Sequence, residues 1–271
     1  MACLYAISDI HGRYDLLQEI VDTHVCFKKG DQLILLGDYV DGGYQGNSYQ
    51  ALQYIYHLQQ TYPQQVIALR GNHEEWLSAF LQQRTSDLNI QIDIHFETLE
   101  SFMSEEEFDA IYQQACQLYQ DRFLLIQNMY EKCRQLICQR HQTLVAWLEQ
   151  LPYYYETSHH IFVHAGIEII KEQPELWKEV SDVNHYLMQF PPCMGQFYKT
   201  VIAGHVGTHQ IMKQPDFHRI CRFGDFIYID SSVIQTHFLN VLQIDQQTLQ
   251  YHGIIKKDNQ WVAYDIVNNK F

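Results

Sequence analysis

The sequence predicts an α/β fold, and three stretches of the chain lead to this prediction. Over the first 83 residues, apolar runs with strand character alternate with amphipathic helical runs, which is typical of a mainly parallel sheet buried on both faces. From about residue 84 to residue 151 only helical periodicity is present, and strand-like runs return after it. We therefore expect one domain over residues 1–271, with a helical insertion, or cap, over residues 84–151.

The N-terminal part contains three predicted strand–helix pairs. The predicted strands are "CLYAIS", "QLILLG" and "QVIALRG". Each strand is followed by a helical pattern, in "RYDLLQEIVDTH", "SYQALQYIYHLQQTYP" and "HEEWLSAFLQQ". Pro63 is expected to end the second helix, because proline cannot continue the hydrogen-bond ladder.

The predicted insertion opens with a helix signal. Ser104 precedes Glu107 by three residues, which is the spacing of a capping box. Two further helical patterns follow, in "RFLLIQNMYEKCRQLICQ" and "QTLVAWLEQ". We expect "LEQLPYYYE" to connect the insertion back to the sheet. The later strands are predicted in "HIFVHAG", "TVIAGH", "FIYIDSS" and "HFLNVLQID".

Charge and cysteine content limit the partners and the location. The formal net charge of −14 argues against binding of nucleic-acid polymers, which depends on clustered lysine and arginine. The seven cysteines are odd in number and form no C-x-x-C pair, which favours reduced thiols. No signal-peptide pattern is present, and no apolar run approaches the roughly 18 residues of a membrane span. We expect a cytoplasmic protein without membrane partners.

Five predicted strands are followed directly by polar side chains of types that can bind metal ions. Since ligand sites of open α/β sheets lie at the carboxyl ends of strands, these side chains should meet in one crevice. Each motif alone is more often a turn or a packing residue, but five in one chain favour a common site. Carboxylate, imidazole and amide donors suit Mn, Fe, Zn or Co, and a shared carboxylate can bridge two ions. The residues are Asp9, His11, Asp38, Asp41, Asn72, His73, His164 and His205.

The motifs "SDIHG", "GDYVDGG", "LRGNHE", "VHAG" and "GH" resemble the ordered signature of the calcineurin-like metallophosphoesterase superfamily. More narrowly, they resemble its phosphoprotein-phosphatase branch, which includes bacteriophage-type Ser/Thr phosphatases and symmetrical diadenosine tetraphosphatases. The resemblance extends from Asp9 to His205 and is weak in the insertion and beyond His205. It implies a β-sandwich core flanked by helices, two divalent or transition metal ions and hydrolysis of a phosphorylated substrate.

The resemblance also implies a role for each motif residue. Asp9 and His11 would hold the first metal, and Asp38 would bridge both metals. His73 would be the general acid that protonates the leaving alkoxide, and Asp41 would orient its imidazole. The second metal would be held by Asn72, which is also expected to contact the substrate, and by His164 and His205.

One departure from the family pattern concerns substrate binding. The family usually has arginine at the position of Gly42, where it clamps the substrate phosphate. Arg70 is the nearest motif-linked candidate for that role, although a structural salt bridge is an equally good interpretation. His209 follows "GH" at a longer spacing than the second histidine ligand of some family branches, so a metal contact of His209 is left open.

The favoured function is a metal-dependent Ser/Thr protein phosphatase. The alternative is a nucleotide phosphohydrolase that acts on dinucleoside polyphosphates. An open groove would favour phosphopeptides, whereas an enclosing cap with aromatic side chains that stack on adenine would favour nucleotides. A more remote alternative is an inactive binding module, but such a module should have lost Asp38 or His73, and both are present.

Overall fold

Two β-sheets pack face to face in the computed structural model, which describes residues 2–84, 96–257 and 259–270. The strands of the six-stranded sheet lie in the order β11-β10-β9-β1-β2-β3, and those of the five-stranded sheet in the order β4-β5-β6-β8-β7. The strands are β1 (Cys3–Ile7), β2 (Gln32–Leu35), β3 (Val66–Ala68), β4 (Tyr154–Glu156), β5 (His160–Val163), β6 (Thr200–Ala203), β7 (Cys221–Phe223), β8 (Phe226–Tyr228), β9 (Asn240–Asp245), β10 (Tyr251–Lys257) and β11 (Gln260–Asp265).

Helices cover the outer faces of this sandwich, so the predicted α/β fold is confirmed. The α-helices of the described residues are α1 (Tyr14–His24), α2 (Ser48–Thr61), α3 (Asn72–Leu81), α4 (Phe96–Glu100), α5 (Glu105–Leu118), α6 (Arg122–Arg140), α7 (Gln142–Glu149), α8 (Trp177–Val180), α9 (Val183–Met188), α10 (Thr208–Met212) and α11 (Val233–Thr236). None of them is long and apolar enough to cross a bilayer.

The alternation of side chains along β1 shows how the layers form. Leu4 and Ala6 belong to the core between the two sheets, where they meet side chains such as Phe162 of β5. Tyr5 and Ile7 point to the opposite face and belong to the core beneath the helices. Both faces of β1 are therefore buried, as expected for the parallel neighbours β1, β2 and β3.

Helices α4 to α7 occupy the described part of the predicted insertion, and no strand occurs within residues 96–151. The capping box is present: Glu107 N–H donates to Ser104 Oγ at 3.3 Å, and Ser104 N–H donates to Glu107 Oε2 at 3.1 Å. These helices share one apolar core with α2 and α3. Residues 85–95, the beginning of the predicted insertion, lie outside the described residues.

Four strands were not predicted, namely β4, β7, β10 and β11. The stretch "LEQLPYYYE" is more than a connection, because Tyr154–Glu156 pairs with β5. The six-stranded sheet is also mixed rather than mainly parallel, since β9, β10 and β11 pair antiparallel. Strand β11 is an edge strand with largely exposed side chains, so the hydrophobic pattern that identifies buried strands is absent there.

His160 on β5 is expected to make the stability of the fold depend on pH. Its Nε2 lies 2.9 Å from the Tyr251 hydroxyl oxygen. Burial, with His159 and Lys199 adding to the effect, lowers the pKa of His160 to about 4. Between the unfolded-state pKa of about 6.5 and about 4, the unfolded chain binds a proton that the folded chain does not. Stability should therefore decrease as the pH falls through this window.

The variant His160→Gln isolates this contribution. At pH 7.5 we expect the wild type to be at least as stable as the variant in urea unfolding. At pH 5 the difference in free energy of unfolding should move in favour of the variant by on the order of 1–2 kcal/mol. Comparison at equal pH and equal metal load cancels the titration of the other histidines. A difference that is the same at both pH values would contradict this assignment.

Candidate active site

A pocket lies among the polar residues that follow the strands. The pocket has a volume of about 220 Å³ and lies where β1, β2, β3, β6 and β8 end. Its lining contains six of the residues singled out in the sequence and four others. The lining residues are Asp9, His11, Asp38, Asn72, His73, His205, Asp230, Ser232, Ile234 and Gln235.

Four donors converge on one side of the pocket, and we call Asp38, Asn72, His164 and His205 the His164 group. His164 Nε2 lies 3.5 Å from Asp38 Oδ1 and 2.8 Å from Asn72 Oδ1. His205 Nδ1 lies 3.1 Å from the same Asn72 oxygen. The carboxylate and the two imidazoles are close enough to hold one metal ion.

Three donors converge on the other side, and we call His11, Asp38 and His73 the His11 group. Asp38 Oδ2 lies 3.9 Å from His11 Nε2 and 3.8 Å from His73 Nε2. Asp38 therefore belongs to both groups and offers one oxygen to each. Asp9 lines the pocket, but its carboxylate accepts hydrogen bonds from the His205 backbone N–H at 3.0 Å and from the Ser8 hydroxyl.

Backbone carbonyls fix the tautomers of two histidines. His164 Nδ1–H donates to Leu36 O at 3.0 Å, and His11 Nδ1–H donates to Val40 O at 2.9 Å. Burial lowers the pKa of His164 to about 4, so its imidazole is neutral and its Nε2 carries a free lone pair. This lone pair faces the Asn72 oxygen, which is also an acceptor, at 2.8 Å. Two acceptors in this arrangement fit a cation bound between them.

The buried carboxyl groups of Asp9 and Asp230 also favour the binding of a cation. Burial raises the pKa of Asp9 well above its usual value, and the nearby Asp230 and Asp38 raise it further. Burial also raises the pKa of Asp230 to about 6. A divalent cation would relieve this repulsion, so the donor set fits metal binding. The sequence analysis did not identify Asp230, although its position in "FIYIDSS", at the end of β8, is the same signal that identified Asp9 and Asp38.

His73 and Asp41 form a hydrogen-bonded pair beside these donors. His73 Nδ1 lies 2.6 Å from Asp41 Oδ2, so Nδ1–H donates to the carboxylate and Nε2 points towards Asp38. Burial opposes protonation of His73, but the Asp38 and Asp41 carboxylates outweigh it and raise the pKa to about 9. The His73 imidazole is therefore protonated on both nitrogens near neutral pH.

A fully buried carboxylate holds two of the motifs together. Glu74 accepts hydrogen bonds from the backbone N–H groups of Asp38 and Tyr39, each at 2.7 Å, and of Gly71 at 3.0 Å. The loop after β2 and the start of α3 are thereby fixed to each other. A Cβ at Gly71 would overlap Asp38, so only glycine permits this approach.

Five site residues have a left-handed backbone conformation, which non-glycine residues rarely adopt. Such strain costs on the order of 1–3 kcal/mol per residue and is concentrated at functional sites. These residues are Asp9 (φ 54°), His11 (φ 42°), Asp38 (φ 57°), Asp41 (φ 65°) and His205 (φ 63°).

Comparison with known families now identifies the fold family. The family model for calcineurin-like phosphoesterases matches residues 4–223 of the chain. The chain belongs to this family. It is therefore a hydrolase that acts on phosphate esters, and the match covers all eight motif residues predicted to form the site.

Two solved structures that are similar to the chain are distant in sequence. One is a protein provisionally assigned as a diadenosine tetraphosphatase, with 14% identity over 99% of this chain and 95% of that chain and a TM-score of 0.48. Another is a protein serine/threonine phosphatase from Saccharomyces cerevisiae with similarity to human phosphatase PP5, with 12% identity over 99% of this chain, 81% of that chain and a TM-score of 0.49. These similarities do not distinguish between substrates.

The structure shows why a side chain is disfavoured at position 42, where the resemblance leads us to expect arginine. A Cβ at Gly42 would overlap the backbone carbonyl oxygen of His11, a member of the His11 group. The chain approaches closely here because the His11–Gly12 segment packs against the following loop, where Asn47 N–H donates to Gly12 O at 2.8 Å. An arginine therefore has no place at this position without movement of the backbone.

We expect Gly42→Ala to lower the free energy of unfolding by about 1–3 kcal/mol, the usual cost of overpacking. Urea unfolding measures the change. The control is Gly43→Asn, because the side chain at Gly43 would enter open space and asparagine tolerates its left-handed conformation (φ 58°). Equal stability of Gly42→Ala and the wild type would refute the steric explanation.

Arg70, the predicted substitute for the missing arginine, does not line the pocket. Its side chain is buried and pairs with the Glu75 carboxylate, and its Nη2 donates to Leu148 O at 2.8 Å. Its guanidinium also lies over the Tyr153 ring at 5.3 Å. This geometry supports the alternative interpretation, in which Arg70 ties the end of α7 to the sheet.

His209 lies on α10 and belongs to neither metal group of the described residues. Its Nδ1 is 3.4 Å from Ser232 Oγ. The structure therefore does not bring His209 to the metal donors, whereas Ser232 itself lines the pocket.

Proposed function

We propose that the protein is a phosphatase that removes phosphate from serine and threonine residues of other proteins. The pair formed by His73 and Asp41 supports this proposal. A serine or threonine alkoxide is a strongly basic leaving group, so its departure requires a proton as the P–O bond breaks. The His73 imidazole can supply this proton, and the buried Asp41 carboxylate orients the ring.

We propose that two divalent ions bind and share the Asp38 carboxylate. The first ion would contact Asp9 and His11, and the second would be held by the remaining members of the His164 group. The oxygen and nitrogen donors suit manganese, iron, cobalt or zinc. Ions in such a site lower the pKa of water and neutralise phosphoryl oxygens.

The protein side chains would position the substrate and the proton. Asn72 lines the pocket and would contact a phosphate bound there. His73 Nε2–H would donate its proton to the leaving oxygen while Asp41 holds Nδ1–H, which keeps the imidazole correctly oriented. Ser232 and Gln235 are neutral hydrogen-bonding groups in the pocket and would partly replace the absent arginine as phosphate contacts.

A second candidate is a dinucleoside polyphosphate hydrolase, which two aromatic residues favour. Tyr44 is 87% exposed and follows the Gly42–Gly43 turn, and Trp76 lies against His73 with ring centroids 4.8 Å apart. Trp76 is only partly exposed. Accessible aromatic rings near a phosphate site can stack on adenine. The leaving group of this reaction is a nucleotide, which departs through a phosphate oxygen and needs protonation less than an alkoxide does.

An assay of product release distinguishes the two candidates. It measures inorganic phosphate from the peptide and from 4-nitrophenyl phosphate, and mononucleotides by chromatography from diadenosine tetraphosphate, whose hydrolysis frees no inorganic phosphate. The metal-loaded protein is tested with a phosphoserine peptide, diadenosine tetraphosphate and 4-nitrophenyl phosphate, with a chelator-treated sample as the control. We expect metal-dependent release with kcat/KM highest for the peptide. A preference for diadenosine tetraphosphate would favour the second candidate, and release that survives metal removal would contradict both.

We also propose a cytoplasmic location and no nucleic-acid or membrane partner. The seven cysteines are all free, which is the normal state in a reducing compartment. The net charge of −14 disfavours both nucleic acids and anionic lipid surfaces.

A further inference from the structure

Both carboxylate oxygens of Asp41 are engaged. Oδ2 accepts the His73 Nδ1–H at 2.6 Å, and Oδ1 accepts the Thr98 hydroxyl hydrogen at 2.5 Å. The Asp41 side chain is only 1% exposed. Since two donors approach the two oxygens, the plane of the carboxylate is fixed relative to the imidazole that it orients.

The backbone of Asp41 is held by the same hydroxyl groups. Asp41 N–H lies 3.1 Å from both Ser48 Oγ and Thr98 Oγ1, and these two oxygens are 3.1 Å apart. Because the Thr98 hydrogen points to Asp41 Oδ1, Ser48 is the donor in the contact between the hydroxyls. The network thus stabilises Asp41 in its left-handed conformation at φ 65°.

Thr98 lies far from Asp41 in the chain, in the short helix α4 of the predicted insertion. Its side chain is buried, and its helix is tied to the start of α2: Ser101 Oγ donates to Thr98 O at 2.6 Å and accepts from Tyr49 N–H at 3.1 Å. The predicted insertion therefore contributes the Thr98 hydroxyl directly to the hydrogen-bonded pair of His73 and Asp41.

We propose that Thr98 is a positioning residue for proton donation to the leaving group, acting through Asp41 on His73. This inference rests on the proposed general-acid role of His73. The Thr98 hydroxyl fixes the Asp41 carboxylate, and that carboxylate fixes the ring so that Nε2–H faces the leaving oxygen. Without the hydroxyl, Asp41 can rotate and the proton is delivered from a wider range of ring orientations.

The main test is Thr98→Val, which keeps the β-branched shape and removes the hydroxyl. We expect kcat on a phosphoserine peptide to fall by roughly 10- to 100-fold, the effect of losing a hydrogen bond to a charged group. KM and metal content should stay the same. On 4-nitrophenyl phosphate, whose leaving group needs little protonation, the loss should be less than about 3-fold.

Matched variants separate positioning from packing. Thr98→Ser retains the hydroxyl and should restore most of the lost kcat. Ser48→Ala removes a hydroxyl that contacts the Asp41 backbone but not its carboxylate, so it should have a smaller effect than Thr98→Val. If Thr98→Val does not fold, Thr98→Ala is measured in its place, because it removes the hydroxyl without adding volume.

A spectroscopic readout does not depend on turnover. In zinc-loaded protein labelled with ¹⁵N-histidine, the Nδ1–H signal of His73 is assigned by its absence in His73→Asn. We expect Thr98→Val to shift this signal upfield and to broaden it by exchange with water, and Thr98→Ser to leave it close to the wild-type position.

The outcomes distinguish this inference from the function on which it rests. If His73→Asn shows no dependence on the leaving group, the general-acid proposal fails. If His73→Asn shows that dependence but Thr98→Val does not, only the role of Thr98 is refuted. An equal loss of kcat on both substrates in Thr98→Val, or an unchanged His73 signal in that variant, would also overturn the proposed role of Thr98.

Discussion

Asp38→Asn should abolish the binding of both metal ions and lower phosphatase activity by at least ~10³-fold, the upper range for loss of one transition-state charge contact. Asp38 offers Oδ1 to His164 and Oδ2 to His11, so both groups of donors lose their shared charge. Asparagine keeps the size of the side chain and tolerates the left-handed conformation at φ 57°, so the backbone should be retained.

The measurement is metal content by elemental analysis after gel filtration, together with kcat on 4-nitrophenyl phosphate. His205→Ala is the matched control, because His205 belongs to the His164 group alone. We expect it to lose about one ion per chain, and Asp38→Asn to lose close to two. Retention of both ions in a folded Asp38→Asn protein would refute the shared-carboxylate arrangement.

The positions of the site residues could be predicted because they follow strands. Parallel strands that neighbour each other bring their carboxyl ends together, so Asp9, Asp38 and Asn72 had to lie close to one another. His164 and His205 follow the parallel strands β5 and β6 of the second sheet and meet the same carboxylate, Asp38. A local pattern was enough in these cases because the fold class alone determines the convergence.

Contacts between distant segments could not be predicted. Thr98 is 57 residues from Asp41 and carries no motif, so only the packing of α4 against the start of α2 reveals it. Arg70 shows a second limit of sequence reasoning, which left its two interpretations open. Its position beside a motif suggested phosphate binding, whereas the chain buries its guanidinium against Glu75 and Leu148. Sequence adjacency does not determine the direction of a long side chain.

The strained backbone of the site was also beyond the sequence analysis. Aspartate and histidine are read from the sequence as metal donors, but their left-handed conformations result from the hydrogen bonds that surround them. Asp41 illustrates this, since Ser48 and Thr98 contact its backbone N–H. The free-energy cost of such conformations is offset by the rest of the fold.

His73→Asn should lower kcat by roughly 10²–10⁴-fold on a phosphoserine peptide, the usual contribution of a positioned general acid. The loss should be much smaller on 4-nitrophenyl phosphate, because nitrophenolate departs without protonation. The structure adds a condition that the sequence did not contain: His73 Nε2 lies 3.8 Å from Asp38 Oδ2, so His73 is itself within reach of a metal ion.

Metal analysis of His73→Asn decides between the two roles. A proton donor can be removed without loss of metal, so we expect the variant to retain both ions and to show a loss of activity that depends on the leaving group. A metal ligand would instead lose an ion, and activity on both substrates would fall together. The first result is favoured because the Asp38 and Asp41 carboxylates outweigh burial and raise the pKa of His73 to about 9. A protonated Nε2 can donate to the leaving oxygen but has no lone pair for a metal ion.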